Sequence, residues 1–131
     1  MKVKGLAWLG TRTEDFEAMR AFYADTLGMT EGAEAPGFAR FDLPDGAYVE
    51  VFGPEDPENA FMTAPVAGFL VEDIASARAE MEAKGVEFIG PVEHGRNGYA
   101  WTHFRAPDGF VYELTQNPAH PMNRAIPKTP P

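Results

Sequence analysis

The chain has 131 residues, 44% of them hydrophobic, and a formal charge of −9 with a pI near 4.7. That balance excludes a nucleic-acid partner, whose phosphates are met by a basic surface, and no apolar run approaches the roughly 20 residues of a membrane span. With no cysteine, disulfides, thiolate nucleophiles and zinc–thiolate sites are excluded together, and the opening residues Met1-Lys2-Val3-Lys4-Gly5 lack the long apolar stretch of a secretory signal, so a cytoplasmic location is expected.

Taken in order, residues 6–13 read as a strand, and Glu14 and Asp15 then mark a helix N-terminus. The helix is expected over 14–27, with Phe16, Met19, Phe22/Tyr23 and Leu27 forming its core stripe and Gly28 stopping it. Strands follow at 29–34, 38–43 and 47–52, the last two joined by Leu43-Pro44-Asp45-Gly46, a type I turn whose glycine forms a hairpin bulge. Residues 54–65 read as a linker. A strand at 66–71 then leads to a helix over 73–84 carrying Ile74, Ala77 and Met81, and Gly85 ends it. Strands at 86–93, 99–105 and 110–115 complete the pattern, with Ala106-Pro107-Asp108-Gly109 as the second turn. From 117 the chain is Pro-rich (Pro118, Pro121, Pro127, Pro130, Pro131), which predicts an extended or mobile tail.

The order repeats because the sequence does. Phe41 to Glu50 reads F-x-x-P-D-G-x-x-x-E, and the same pattern returns 63 residues later from Phe104 to Glu113. Two copies make a duplicated module rather than a solenoid. The fold class expected is α+β: two tandem β-α-β-β-β modules, 1–53 and 66–116, forming cupped, barrel-like mixed sheets with the helices outside. Closure within the chain or across a two-fold axis buries such sheets, and a homodimer is expected.

Strand parity assigns the faces. Val49 and Val51 flank Glu50, and Tyr112 and Leu114 flank Glu113. These flanks belong under the helices, so the two glutamates point to the opposite, concave side. Tyr48 and Phe52 share that side, as do Trp8 and Val66 on the first strands. A glycine bulge in each hairpin places Arg40 opposite Glu50 and His103 opposite Glu113, with Trp101 and Phe38 as aromatic walls. A half-apolar surface with a few placed polar groups has the composition of a small-molecule site. His94 and His120 receive no role.

With these features the chain resembles the vicinal oxygen chelate superfamily, which includes glyoxalase I, bleomycin-resistance proteins, fosfomycin-resistance enzymes and ring-cleaving dioxygenases. The resemblance spans about residues 3–116. It rests on the paired module order, the Asp15 and Asp73 helix starts, Phe22-Tyr23 before Leu27-Gly28, and the two F-x-x-P-D-G-x-x-x-E strands. It implies that metal-binding members use one side chain on the first strand and one on the last strand of each module. Glu50 and Glu113 match the last-strand positions. The first-strand positions, usually His or Gln, fall on Trp8 and Val66, neither of which binds a divalent metal.

The expected function is therefore binding of a small aromatic or cationic molecule without the usual metal. The ligand-binding set is Trp8, Arg40, Tyr48, Glu50, Phe52, Val66, Trp101, His103 and Glu113, and no cofactor is favoured. One alternative is a lyase, isomerase or dioxygenase with Fe, Zn, Ni or Mn on Glu50, Glu113 and His103. Another is a metal-free acid–base catalyst using Glu113, Glu50 and His103, and the last is a non-catalytic accessory subunit. The glutamates also have a purely structural reading, as hairpin partners of Arg40 and His103.

Overall fold

The computed structural model describes residues 1–123, which fall into two compact units: Trp8–Gly68, and Phe69 onward together with Met1–Ala7. In the first, strand β1 (Gly5–Arg12) leads into helix α1 (Phe16–Ala21), entered through Asp15, whose Oδ1 accepts from the Ala18 N–H at 3.4 Å. Strands β2 (Thr30–Ala35), β3 (Phe38–Asp42) and β4 (Tyr48–Phe52) follow, in the order β2-β3-β4-β1. The three consecutive strands run antiparallel, and β4 pairs with β1 in parallel.

The first helix departs from its expected form. Its last turn, Phe22–Thr26, is a π-helical widening in which the Leu27 N–H reaches the Phe22 carbonyl at 3.0 Å. The extra residue in that turn breaks the 3.6 spacing on which the expected single stripe depends. Tyr23 stays inside and its hydroxyl meets Thr11 Oγ1 at 3.2 Å, while Phe22 and Leu27 are 45% and 51% exposed. The core beneath this helix is Tyr23, Ala39, Phe41, Val49 and Val51, with Phe16 and Met19 packed on it.

The second module repeats the plan, the first three residues of its opening strand belonging to the first unit. Strand β5 (Val66–Leu70) precedes helix α2 (Ile74–Ala83), and β6 (Glu87–His94), β7 (Ala100–Arg105) and β8 (Val111–Gln116) complete the order β6-β7-β8-β5. Asp73 caps α2 by accepting from the Ser76 N–H at 3.1 Å. The helix ends as expected at Gly85 (φ 89°), with Val86 N–H to Met81 O and Gly85 N–H to Glu82 O closing a Schellman motif. Val71, Ile74, Ala77, Ala100, Phe104 and Leu114 form its core.

Both repeated turns have the expected geometry. Gly46 (φ 93°) and Gly109 (φ 85°) bond back to Leu43 and Ala106, and Asp45 and Asp108 accept from the N–H two residues on. Two features lay outside the reading of contiguous modules. Residues 1–7 group with the second module, where the Lys4 N–H bonds Leu70 O at 2.8 Å and the terminal ammonium bonds Glu80 at 2.9 Å. The beginning of the expected tail is packed rather than extended. Asn117 and His120 are buried, and Pro121–Asn123 makes a 3-10 turn; Pro127, Pro130 and Pro131 lie outside the described residues.

Candidate functional site

On the face of the first module turned away from α1, Trp8 stands opposite Tyr48, Gly10 opposite Glu50 and Arg12 opposite Phe52. The Trp8 indole leaves its own row and reaches diagonally across the sheet. Its Nε1 donates to Glu50 Oε1 at 2.7 Å. The route is open because Gly10 has no side chain: a Cβ there would fall 2.0 Å from the indole Cη2. Trp8 is 6% exposed, its ring lies 6.5 Å from that of Phe52, and both pack in one cluster with Met62 and Val66. Phe38, Tyr48 and Phe61 border this cluster.

Arg40 does stand opposite Glu50, as the bulge requires. The expected carboxylate–cation pairing is nevertheless redirected. Arg40 Nε donates to Asp42 Oδ1 at 2.9 Å, and the guanidinium lies over the Tyr48 ring, 4.5 Å from its centroid. Asp42 shares the face of Arg40 two residues along the strand and is more exposed. The guanidinium thus keeps its hydration and an aromatic stacking surface, while Glu50 takes the indole N–H.

The second module carries the other expected pair. His103 and Glu113 are directly opposed, and Trp101 faces Thr115 in the next row. His103 Nε2 stands 3.1 Å from Glu113 Oε1, and Thr115 Oγ1 donates to Oε2 at 2.5 Å, so both carboxylate oxygens are engaged. Glu113 is 2% exposed. Burial pushes its carboxyl above the ordinary range, and the His103 and Thr115 hydrogen bonds act against that rise. Trp101 is half-buried with its ring 5.8 Å from that of Tyr99. A buried carboxylate coupled to an imidazole can hold or relay a proton.

These residues do not fit the four-donor metal set of the superfamily. At the first-strand position, Trp8 offers an N–H and directs it to Glu50, the last-strand donor of the same module. Val66, at the equivalent position of the second copy, is an apolar side chain within the Trp8–Phe52 cluster. Among the described residues no three His, Asp or Glu side chains are gathered so as to hold a metal ion. Likewise, no helix among them is long and apolar enough to cross a membrane.

Sequence reasoning missed three contributors. Phe61 and Met62 come from the stretch read as a linker, and their only signal is an apolar pair in a polar segment. Strand parity puts Gly10 on the same face as Trp8, but its part in seating the indole depends on the Trp8 rotamer. That is a tertiary choice.

Comparison with known proteins places the chain. Residues 5–114 match the family model described as the Glyoxalase/Bleomycin resistance protein/Dioxygenase superfamily. Among curated proteins, none matches. Among solved structures, a hypothetical protein from Bacillus halodurans is 19% identical with a TM-score of 0.68, covering 86% of this chain and 93% of its own. Methylmalonyl-CoA epimerase from Mycobacterium tuberculosis is 20% identical with a TM-score of 0.65, covering 87% and 88%. A Mn(II)-bound glyoxalase from Novosphingobium aromaticivorans is 22% identical with a TM-score of 0.71, covering 97% of this chain and 43% of its own. At these identities the structures speak for the fold alone, and the family match speaks for descent: the chain belongs to the glyoxalase/bleomycin resistance protein/dioxygenase superfamily.

Proposed function

We propose that this chain binds a small, flat molecule, aromatic or cationic, without the metal used by other members of its superfamily. The surface is the aromatic face of its first module: Trp8, Tyr48 and Phe52 around Glu50. The single observation that carries this reading is the Trp8 Nε1–Glu50 Oε1 hydrogen bond of 2.7 Å. It turns a first-strand donor position into a stacking surface and commits one oxygen of the last-strand carboxylate to an N–H. Indole is the strongest aromatic partner for a flat or cationic group, and Glu50 supplies the counter-charge. Similar folds include a Mn(II)-bound glyoxalase and an epimerase, so the fold by itself does not select the chemistry.

Protein purified without chelator is to be analysed for metal and screened by thermal shift and tryptophan fluorescence against aromatic and cationic compounds. The expected outcome is no stoichiometric metal and a fluorescence response that Trp8→Ala abolishes. Stoichiometric Fe, Zn, Ni or Mn that disappears in Glu113→Ala would overturn the reading. Sedimentation of the same material tests the homodimer that belongs to this proposal.

A second reading is favoured by Glu113, which is almost fully buried, with His103 Nε2 3.1 Å from one carboxylate oxygen and Thr115 Oγ1 donating to the other. In it the second module transfers protons, with Glu113 and His103 as the acid–base pair. Its mark is turnover of a bound compound that falls at least 100-fold in Glu113→Gln while binding persists.

A further inference from the structure

Residues 54–65 connect the modules in sequence, yet they have a shape of their own. Pro57–Asn59 forms a 3-10 turn entered through Asp56, whose Oδ1 accepts from the Glu58 N–H at 2.9 Å and whose Oδ2 accepts from Asn59 Nδ2 at 2.7 Å. The Met62 N–H then closes on the Asn59 carbonyl at 3.0 Å. These bonds hold the segment to itself. What it presents to the sheet is apolar: Met62 is 3% exposed within the Trp8–Phe52 cluster, and Phe61 packs beside it.

Polar attachment comes from β1. Arg12 Nη2 donates to the Pro54 carbonyl at 2.5 Å, at the very start of the segment. The guanidinium is not saturated there, since its Nε is buried and has no acceptor among the described residues. Trp8, four residues earlier on the same strand, is 6% exposed. A ring-sized molecule therefore stacks on that indole only if something packed against it moves. Strand β4 is hydrogen-bonded to β1 on one side and to β3 on the other, so these strands do not yield singly. Residues 54–65 carry mostly internal hydrogen bonds, the kind of segment that opens first in a folded protein.

We propose that residues 54–65 are a cover over the aromatic face of the first module, latched by the Arg12–Pro54 hydrogen bond, and that the cover lifts to admit a small molecule to Trp8 and Glu50. The proposal rests on the reading of that face as the ligand surface. Opening releases one charge-assisted hydrogen bond and the Met62 and Phe61 contacts. Removing the latch alone shifts the open population by roughly tenfold.

The test uses ligand-free protein, so its failure is separate from any failure of ligand binding. Trp101→Phe leaves Trp8 as the only tryptophan of the two in the chain. Acrylamide quenching of Trp8 and amide hydrogen exchange are then measured with and without Arg12→Met, and in parallel with Met62→Ala. The expected result is several-fold stronger quenching and faster exchange across 55–62 in both variants, with protection in β3 and β4 unchanged. Unchanged exchange across 55–62 in Arg12→Met overturns the latch. Exchange that rises across β1, β3 and β4 together also overturns it, because Arg12 would then support the whole module rather than a cover.

Discussion

The Trp8 indole lies over Gly10, two residues further along the same strand, so closely that any Cβ at Gly10 would sit 2.0 Å from the ring. Side chains at i and i+2 of a strand normally stand side by side. Here one of them is absent, and the other folds into its place to reach Glu50. Gly10→Ala is expected to expel the indole and cost about 1–3 kcal/mol, the range for overpacking. Urea denaturation checks this, and a double-mutant cycle makes it specific. In a Trp8→Ala background the Gly10→Ala cost should nearly vanish.

Glu50 is expected to matter for stability as well as binding. Glu50→Ala leaves the part-buried indole N–H without its acceptor, a loss of about 1–3 kcal/mol. Glu50→Gln keeps an acceptor oxygen and should lose less than half as much. The Trp8 Nε1–H resonance, followed by NMR, should move strongly in the first variant and modestly in the second.

Glu113 imposes a pH dependence whose sign follows from burial. Its carboxyl is raised in the folded state, so between the unfolded value, about 4.5, and the higher folded one the native protein binds more protons than the unfolded chain. The slope of stability with pH is then negative for this group. Its contribution is present below the unfolded value and is lost as pH rises through the folded one. Thermal melts of the native sequence and Glu113→Gln across pH 4–8 should show the native protein losing ground to the variant as pH increases. A constant difference over that range would rule out the burial effect.

The second hairpin provides a test of backbone conformation free of packing. Gly109 has φ 85°, and a Cβ built there meets nothing within 4 Å. Gly109→Ala therefore incurs only the left-handed penalty, about 1–2 kcal/mol. Gly109→Asn should cost less, since asparagine tolerates that region. Chemical denaturation of the two variants gives the comparison directly.

Much of this molecule is legible without coordinates. The repeated F-x-x-P-D-G-x-x-x-E places two bulged hairpins, and the bulge alone sets the register that opposes Arg40 to Glu50 and His103 to Glu113. Alternation then sorts Val49, Val51 and Leu114 to the helices and the glutamates to the other side. These are local rules of turn geometry and a two-residue period, and every residue needed to apply them is a near neighbour in sequence.

Partner choice escapes such rules. Register brings Arg40 and Glu50 face to face, but rotamers decide that Arg40 goes to Asp42 and Tyr48 while Glu50 accepts from Trp8, 42 residues away in the chain. Competition of the same kind settles the π-helical turn that exposes Leu27 and the burial of Met62 from a polar connector. The repeated glutamates thus follow from the sequence as a matched pair at equivalent positions. Only the tertiary structure makes them unlike, one holding an indole and the other an imidazole, because hydrogen bonds go to whichever donor the packed neighbours deliver.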